Sequence, residues 1–240
     1  MHLPGTTAPA VPAGEPDAGL RARLVAVGVE LVAREGVTAL SLREIARRAG
    51  VSHGAPRRYF PTHAALLSAI ARQGFDALAA EAAAAPAAGS APGDGAGATG
   101  EGPAGEPRAR ILALGRVYLG YAAAHPGMFE LMFRHDLLEN ATEGRGPGLR
   151  ETSLPLFRVL VDLVARVRPA PAAEPEVVAG ALWAGLHGIA QLWAWGSLPL
   201  ATGLDTAEPL LRATVDAHLG PATGTVPGSA PGATDPGRSR

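Results

Sequence analysis

The sequence predicts an all-α protein of about nine helices, with a three-helix N-terminal domain followed by a larger helical domain. Apolar residues recur at helical spacing in nine stretches, and no stretch shows the alternating pattern of a β-strand. Glycine and proline separate these stretches. With 47% hydrophobic and 18% charged residues, the 240-residue chain has enough apolar material for a core in each domain.

The first two helices are predicted from the residues at their ends. Helical spacing of apolar residues covers residues 17–35, and Gly36 follows where a helix end favours a left-handed residue. Ser41 and Glu44 have the spacing of a capping box, in which the serine accepts from the third helical N–H and the glutamate reaches back. Gly50 supplies the next tight turn. A short second helix is therefore expected between Ser41 and Gly50.

The third and fourth helices are predicted from two N-cap residues and two prolines. Ser52 is the expected N-cap of a third helix that continues to about Tyr59 and ends before Pro61. Pro56 lies near the fourth residue of this helix, where its missing N–H and its ring become costly. A late start or a strained helix is therefore expected there. Thr62 is the expected N-cap of a longer fourth helix.

Three segments contain almost nothing that can be buried. Residues 82–107 are rich in Ala, Gly and Pro and predict a disordered insert, while residues 1–19 and 221–240 predict disordered tails. The predicted domains are therefore residues 20–66 and residues 67–220. Helical patterns in the second domain continue after the insert over 108–124, 127–133, 150–166, 174–195 and 205–219.

Residues 177–204 carry no charged side chain and are long enough to cross a bilayer. The segment also contains His187, Gln191 and glycines that include Gly180, Gly185 and Gly188, and it has no flanking arginine clusters. We therefore expect no membrane contact. The better interpretation is a helix buried on two faces, one against its own core and one against a second subunit.

Basic residues are concentrated near the N-terminus. All 21 basic residues of the chain are arginine, and the net charge of the chain is −1. Residues 17–63 hold eight arginines and four acidic residues, which gives this segment a formal charge of +4. Such a surface can bind the phosphate backbone of DNA, although arginines on a helix can also form a merely solvated face.

Residues 20–70 resemble the DNA-binding domain of the TetR family along the whole segment EGVTALSLREIARRAGVSHGAPRRYFPTHAALL. Ala46 and Gly50 are small where two helices cross, and Phe60 precedes Pro61. The resemblance implies a helix-turn-helix whose third helix enters the major groove. Arg57 stands where the family commonly has tyrosine, and His63 where it commonly has lysine. The implied base-reading residues are His53, Ala55, Arg57 and Tyr59, and the implied phosphate contacts are Ser41, Arg43, Ser52, Arg58 and His63.

The C-terminal half resembles a TetR subgroup whose regulatory domain carries a Trp-x-x-x-His-Gly signature, here Trp183, His187 and Gly188. A tyrosine-rich helix and the His125–Pro126 break precede it. Trp183 and His187 share a helix face, so they could line a pocket or simply belong to the core. Both interpretations remain open. The candidate ligand-binding residues are Tyr118, Tyr121, His125, Phe129, Met132, Trp183 and His187.

Together these features predict a cytoplasmic, homodimeric transcriptional repressor that a small apolar or aromatic effector releases from a palindromic operator on double-stranded DNA. Helices near residues 174–196 and 205–219 are expected to form the dimer interface. We expect no cofactor, metal or enzyme activity, because the chain lacks cysteine, a Walker A lysine, H-E-x-x-H and G-x-S-x-G. The alternatives are a nucleoid-type DNA-binding protein without a ligand and, less in keeping with the motifs, a helical enzyme.

Overall fold

The computed structural model describes residues 15–85, 105–138, 149–167 and 173–221. Within these ranges the chain forms eleven α-helices and no strand, which confirms the all-α fold. Two short helices, at His135–Leu138 and Ser197–Thr202, add to the nine that the sequence predicts. The helices are α1 Glu15–Glu35, α2 Leu42–Arg48, α3 Pro56–Tyr59, α4 His63–Ala84, α5 Gly105–Ala124, α6 Pro126–Phe133, α7 His135–Leu138, α8 Leu149–Val167, α9 Pro175–Ala194, α10 Ser197–Thr202 and α11 Glu208–Leu219.

Most of the predicted helix ends are confirmed. Gly36 and Gly50 have φ angles of 78° and 67°, in the left-handed region that glycine adopts without strain. The Ser41 hydroxyl accepts from the Glu44 backbone N–H at 3.2 Å. The Thr62 hydroxyl caps α4 in the same way. The capping box is only half formed, because the Ser41 N–H donates to the carbonyl oxygen of Ala39 rather than to Glu44.

The predicted start of the third helix at Ser52 is wrong. Helix α3 begins at Pro56, and residues 53–55 form a turn before it. Proline at the first helical position loses no hydrogen bond, because that N–H has no partner within a helix, and its fixed φ suits a helix start. The N–H of Ala55 instead donates to the Ser52 carbonyl at 3.0 Å. Pro56 therefore shortens the helix to a single turn.

The margins of two predicted disordered segments are also wrong. Helix α1 begins at Glu15, within the predicted tail of residues 1–19. Helix α4 continues to Ala84 and helix α5 begins at Gly105, so both enter the predicted insert of residues 82–107. The rest of these segments and the predicted tail lie outside the described residues, namely residues 1–14, 86–104 and 222–240.

Two hydrophobic clusters form the core. The first joins α1, α2, α4 and α6, and the second joins α5, α8, α9 and α11. Helix α4 has 22 residues and so spans about 33 Å. The fully buried residues of the first cluster include Leu24, Leu31, Ile45, Leu66, Ile70, Leu131 and Met132, and those of the second include Leu182, Leu211 and Val215.

Helix α6 lies directly against the end of α1. A Cβ atom placed on Gly127 would lie 2.5 Å from the carbonyl oxygen of Val32, which is far inside the sum of van der Waals radii. Only glycine permits this approach between the two backbones. Gly127 therefore fixes how closely α6 approaches α1 of the N-terminal domain.

Candidate functional sites

The N-terminal domain presents a basic surface on α2, α3 and the turn between them. Ala46 is fully buried where these elements meet, and Phe60 is buried at the end of α3. Val51 packs against the same core from the turn. These three anchors hold α3 so that the side chains of Arg57 and Arg58 face outward, where both are exposed.

The arginines of this surface fall into two groups. Arg47 and Arg48 both bind the Glu44 carboxylate, and Arg48 also pairs with Glu35 at 2.5 Å. Hydrogen bonds from Arg47 and Arg48 lower the pKa of Glu44 to about 2. Part of the positive charge on α2 is therefore neutralised. The second group forms no ion pair with any residue in the described ranges and comprises Arg43, Arg57 and Arg58.

The structure places most of the predicted DNA-contact residues at this surface. Ala55 is half-buried, and the half-buried Tyr59 packs partly against the N-terminal core. The Ser41 hydroxyl is already engaged as the cap of α2. The exposed members of the predicted set are Ser41, Arg43, Ser52, His53, Arg57, Arg58 and His63.

His63 is tied to the protein by one of its ring nitrogens. Its Nε2 atom lies 2.6 Å from the carbonyl oxygen of Leu40, an acceptor, so Nε2 carries the proton and donates. In the neutral ring, Nδ1 is then an acceptor and cannot donate to phosphate. His63 can present a donor to DNA only in its protonated form, which distinguishes it from the lysine common in the family.

A cavity of about 730 Å³ lies in the C-terminal region between α4, α5, α8 and α9. Its walls are mainly aliphatic and aromatic, which suits a ligand with a large apolar surface. The lining residues include Phe75, Leu78, Ile111, Leu114, Phe133, Phe157, Leu160 and Leu186. The lining residues with polar groups are Arg110, Tyr118, Ser153 and Trp183.

Tyr118 links Trp183 and His187 by hydrogen bonds at the wall of this cavity. Trp183 Nε1 donates to the Tyr118 hydroxyl at 3.1 Å, and the same hydroxyl lies 2.8 Å from His187 Nδ1. Burial raises the pKa of Tyr118 and lowers the pKa of His187, so both groups are favoured in their neutral forms. Since the hydroxyl oxygen already accepts from Trp183, we assign its proton to the bond with His187.

The predicted ligand residues fall into four groups. Tyr118 and Trp183 line the large cavity, whereas His187 lies behind it as the hydrogen-bond partner of Tyr118. Phe129 and Met132 are buried members of the hydrophobic core and are not among the residues that line the cavity, so their role in ligand binding stays a prediction. Their side chains fill the space between α4, α6 and α9 instead.

Tyr121 and His125 belong to a different cavity. They line a smaller space of about 170 Å³ beside Met128, close to the contact between α6 and α1. Tyr121 and His125 therefore do not line the same space as Tyr118, and their role in ligand binding stays a prediction. Burial raises the pKa of Tyr121 to about 12.

Two walls of the large cavity were missed by sequence reasoning. Helix α4 contributes Phe75 and Leu78, and helix α8 contributes Phe157 and Leu160. The apolar periodicity of both helices indicated burial, but it could not distinguish a cavity wall from filled core. The pocket was predicted from histidine and tyrosine residues, and their positions do not indicate where aliphatic cavity walls lie.

Two protein-family models match the chain. The model described as bacterial regulatory proteins, tetR family, matches residues 24–70. The model described as tetracyclin repressor-like, C-terminal domain, matches residues 111–218. The two matches together cover more than half of the chain. This protein belongs to the TetR family. The narrower subgroup with the Trp-His-Gly signature stays a prediction.

Solved structures share the fold of this TetR-family protein. A Rhodococcus sp. RHA1 protein of unknown function is 29% identical, with a TM-score of 0.62, and the match covers 85% of this chain and 96% of that chain. A TetR-family member from Streptomyces coelicolor A3 is 24% identical, with a TM-score of 0.51 and coverage of 83% and 98%. The multidrug-binding protein EbrR, complexed with imidazole, is 24% identical, with a TM-score of 0.51 and coverage of 87% and 97%. No curated protein matches the sequence.

The N-terminal domain is therefore the DNA-binding domain of a TetR-family transcriptional regulator. The apolar helix α9, Pro175–Ala194, is by length and composition able to cross a membrane. Its Val178, Leu182 and Leu186 are instead buried against the neighbouring helices α5, α8 and α11. Within the TetR fold α9 is a core helix of the C-terminal domain.

Proposed function

We propose that this TetR-family protein is a cytoplasmic, homodimeric repressor that a small apolar effector releases from a near-palindromic operator. Helix α4 carries the proposal, because it belongs to both functional sites. Near its start, Leu66 and Ile70 pack in the core of the DNA-binding domain. Further along, Phe75 and Leu78 line the large cavity. A ligand that shifts α4 therefore acts on the element that supports the helix-turn-helix.

DNA recognition is assigned to the exposed face of α3 and the ends of α2. Phosphate contacts from arginine supply most of the affinity, and base-edge contacts supply the sequence preference. Arg57 has the two parallel N–H groups that bind guanine O6 and N7. Arg58 and Arg43 are assigned to phosphates. His53 is placed on the groove side of the turn before α3.

The dimer is supported by exposed apolar side chains on α9, on α10 and in the turn between them. Val177, Trp195 and Leu200 are 63%, 71% and 89% exposed, and Leu192 is exposed beside them. Aromatic and aliphatic side chains of this size are enriched in protein interfaces. A second copy placed on this surface relates two α3 helices by a two-fold axis, and the operator then has matching half-sites about 34 Å apart.

The effector is assigned to the 730 Å³ cavity, with Tyr118 and Trp183 as its polar contacts. EbrR, which shares the fold, is a multidrug-binding protein, and this supports a ligand role for the C-terminal domain. A ligand shifts the equilibrium only as far as it prefers the conformation that does not bind DNA. By linkage, the operator must weaken ligand binding by the same factor.

Selection of bound duplexes from random DNA by the purified full chain tests the proposal. We expect a near-palindromic consensus, and tighter binding to it than to a shuffled duplex at two salt concentrations. Arg57→Ala together with Arg58→Ala should abolish the enrichment. Enrichment of no sequence, combined with a steep salt dependence on every duplex, would instead support a nucleoid-type protein.

A further inference from the structure

Arg110 is the one charged side chain among the described residues that line the large cavity. The neighbouring lining residues on α5, Ile111, Leu114 and Val117, are apolar. A cation beside an apolar enclosure costs free energy unless anions or several acceptors face it. The charge of Arg110 therefore indicates which chemical class of ligand the cavity binds.

The partners of Arg110 are neutral. Its Nη1 donates to the Ala85 carbonyl at 2.6 Å, and its Nη2 donates to the Ala82 carbonyl at 2.7 Å. Within the described ranges it forms no ion pair, whereas the other two arginines of α5, Arg108 and Arg116, pair with carboxylates of α11. A guanidinium group has five N–H donors, so three remain after the two carbonyl bonds. Arg110 therefore retains its positive charge and three N–H donors with which it can bind a ligand.

Arg110 and Tyr118 mark two separate polar points on the same wall. Their positions are eight residues apart on α5, which corresponds to about 12 Å along the helix axis. Both side chains line the cavity. A ligand that contacts the cavity wall along this length has an elongated apolar body, and its head group meets either the guanidinium or the phenol.

We propose that Arg110 is a specificity-determining residue for an effector with an elongated apolar body and a carboxylate head group. The carboxylate accepts hydrogen bonds from the guanidinium, and the body fills the apolar cavity. Arg110 is half-buried, so the bound carboxylate keeps some contact with solvent and loses less hydration than in a closed core. The inference rests on the proposed function, since it names the chemical class of ligand for the same cavity.

Displacement of a neutral fluorescent reporter tests the assignment. N-phenyl-1-naphthylamine is bound first, and dodecanoate, its methyl ester and dodecylamine then compete at about pH 7.5, where the acid is ionised and the amine protonated. For the wild type we expect dodecanoate to bind at least about tenfold tighter than the ester, and dodecylamine to bind weakest.

Arg110→Gln removes the charge while keeping an amide donor for the carbonyls of α4. We expect this variant to bind the reporter as the wild type does and to bind dodecanoate and the ester alike. Arg116→Gln, the same change on the same helix outside the cavity lining, should keep the wild-type preference. Circular dichroism melting shows whether each variant folds. The comparison of the three competitors on the wild-type protein tests the ligand class even if a variant does not fold.

The outcomes distinguish failure of the role assigned to Arg110 from failure of the proposed ligand function. Reporter binding without a preference for dodecanoate, or a preference that survives in folded Arg110→Gln, overturns the role of Arg110 and leaves the ligand cavity standing. No binding of the reporter or of any competitor to the wild type overturns both the role of Arg110 and the proposed ligand function.

Discussion

The hydroxyl of Tyr118 lies 2.8 Å from Nδ1 of His187, and these two residues are 69 positions apart in the chain. The same hydroxyl accepts from Trp183 Nε1, so one phenol satisfies two ring nitrogens on α9. His187 also packs face to face on Phe129, with 5.3 Å between the ring centroids. The geometry of this group depends on Tyr118, because it is the only one of these four residues on α5.

Removal of the Tyr118 hydroxyl should destabilise the protein. Tyr118→Phe leaves Trp183 Nε1 and His187 Nδ1 without this partner, at a cost of about 1 kcal/mol, toward the lower end of the range because Trp183 is 37% exposed and can bind water. The measurement is urea unfolding followed by circular dichroism. Tyr121→Phe is the matched control, since no hydrogen bond to a described residue involves its hydroxyl. Equal losses in the two variants would contradict the assignment.

Stability should decrease on acidification in part through His187. Burial lowers the pKa of His187 in the folded protein below the value of about 6.5 for an exposed histidine, so the unfolded chain binds this proton more readily. The wild type therefore loses stability as pH falls below about 6.5. His187→Asn keeps an acceptor for Tyr118 but cannot be protonated in this range. Melting temperatures between pH 7.5 and 5.5 should fall less steeply in this variant.

The matched control for the pH series is His53→Asn, which changes an exposed histidine in the DNA-binding domain. Parallel melting curves for the wild type and His187→Asn over the whole pH range would rule out His187 as a source of acid sensitivity.

Arg57 and Arg58 should differ in their effect on DNA binding. Arg57→Ala should cost about 1–3 kcal/mol per half-site and relax the preference at one symmetric pair of operator positions. Arg58→Ala should weaken binding to all duplexes similarly and reduce the slope of affinity against salt concentration. Fluorescence anisotropy on the selected duplex and on single-position variants measures both effects. Indistinguishable profiles for the two variants would refute the assignment of base and phosphate contacts.

A methyl group at Gly127 should disturb the contact between α6 and α1. In Gly127→Ala the Cβ atom meets the backbone oxygen of Val32, which cannot move aside as a flexible side chain could. We expect a loss of about 1–3 kcal/mol in the free energy of unfolding. Gly120→Ala is the control, because an added Cβ there meets no atom within 4 Å, and it should leave stability unchanged or raise it. A neutral Gly127→Ala would show that α6 is not held against α1.

Features that depend on neighbouring residues were predictable from the sequence. Features that depend on contacts between residues far apart in the chain were not. The caps at Ser41 and Thr62 and the left-handed Gly36 were predictable, since each acts within four residues. Pro56 raised the expectation of a late or strained third helix, but Ser52 was still assigned as its cap. At α3 the preference for proline at the first helical position outweighs the preference for serine at the N-cap, so the helix begins at Pro56.

The extent of the insert and the walls of the cavity depended on contacts between helices. Arg110 on α5 donates to the carbonyl oxygens of Ala82 and Ala85 at the end of α4, and both acceptors lie in the segment that composition alone predicted to be disordered. The aliphatic walls from α4 and α8 have the same periodicity as filled core, so only the packing of the helices shows that a space lies between them. Tyr118 and Tyr121 are only three residues apart on α5, so which space each lines likewise depends on the helices packed around them.

The most direct test of the central claim is the affinity of N-phenyl-1-naphthylamine for the protein alone and for the protein saturated with its selected operator. If a ligand in the cavity and the operator favour different conformations, the operator must weaken reporter binding. The reporter must then weaken operator binding by the same factor. We expect a weakening of about 5-fold or more on both sides. Equal reporter affinity with and without operator would contradict the account, because the cavity and the helix-turn-helix would then be uncoupled.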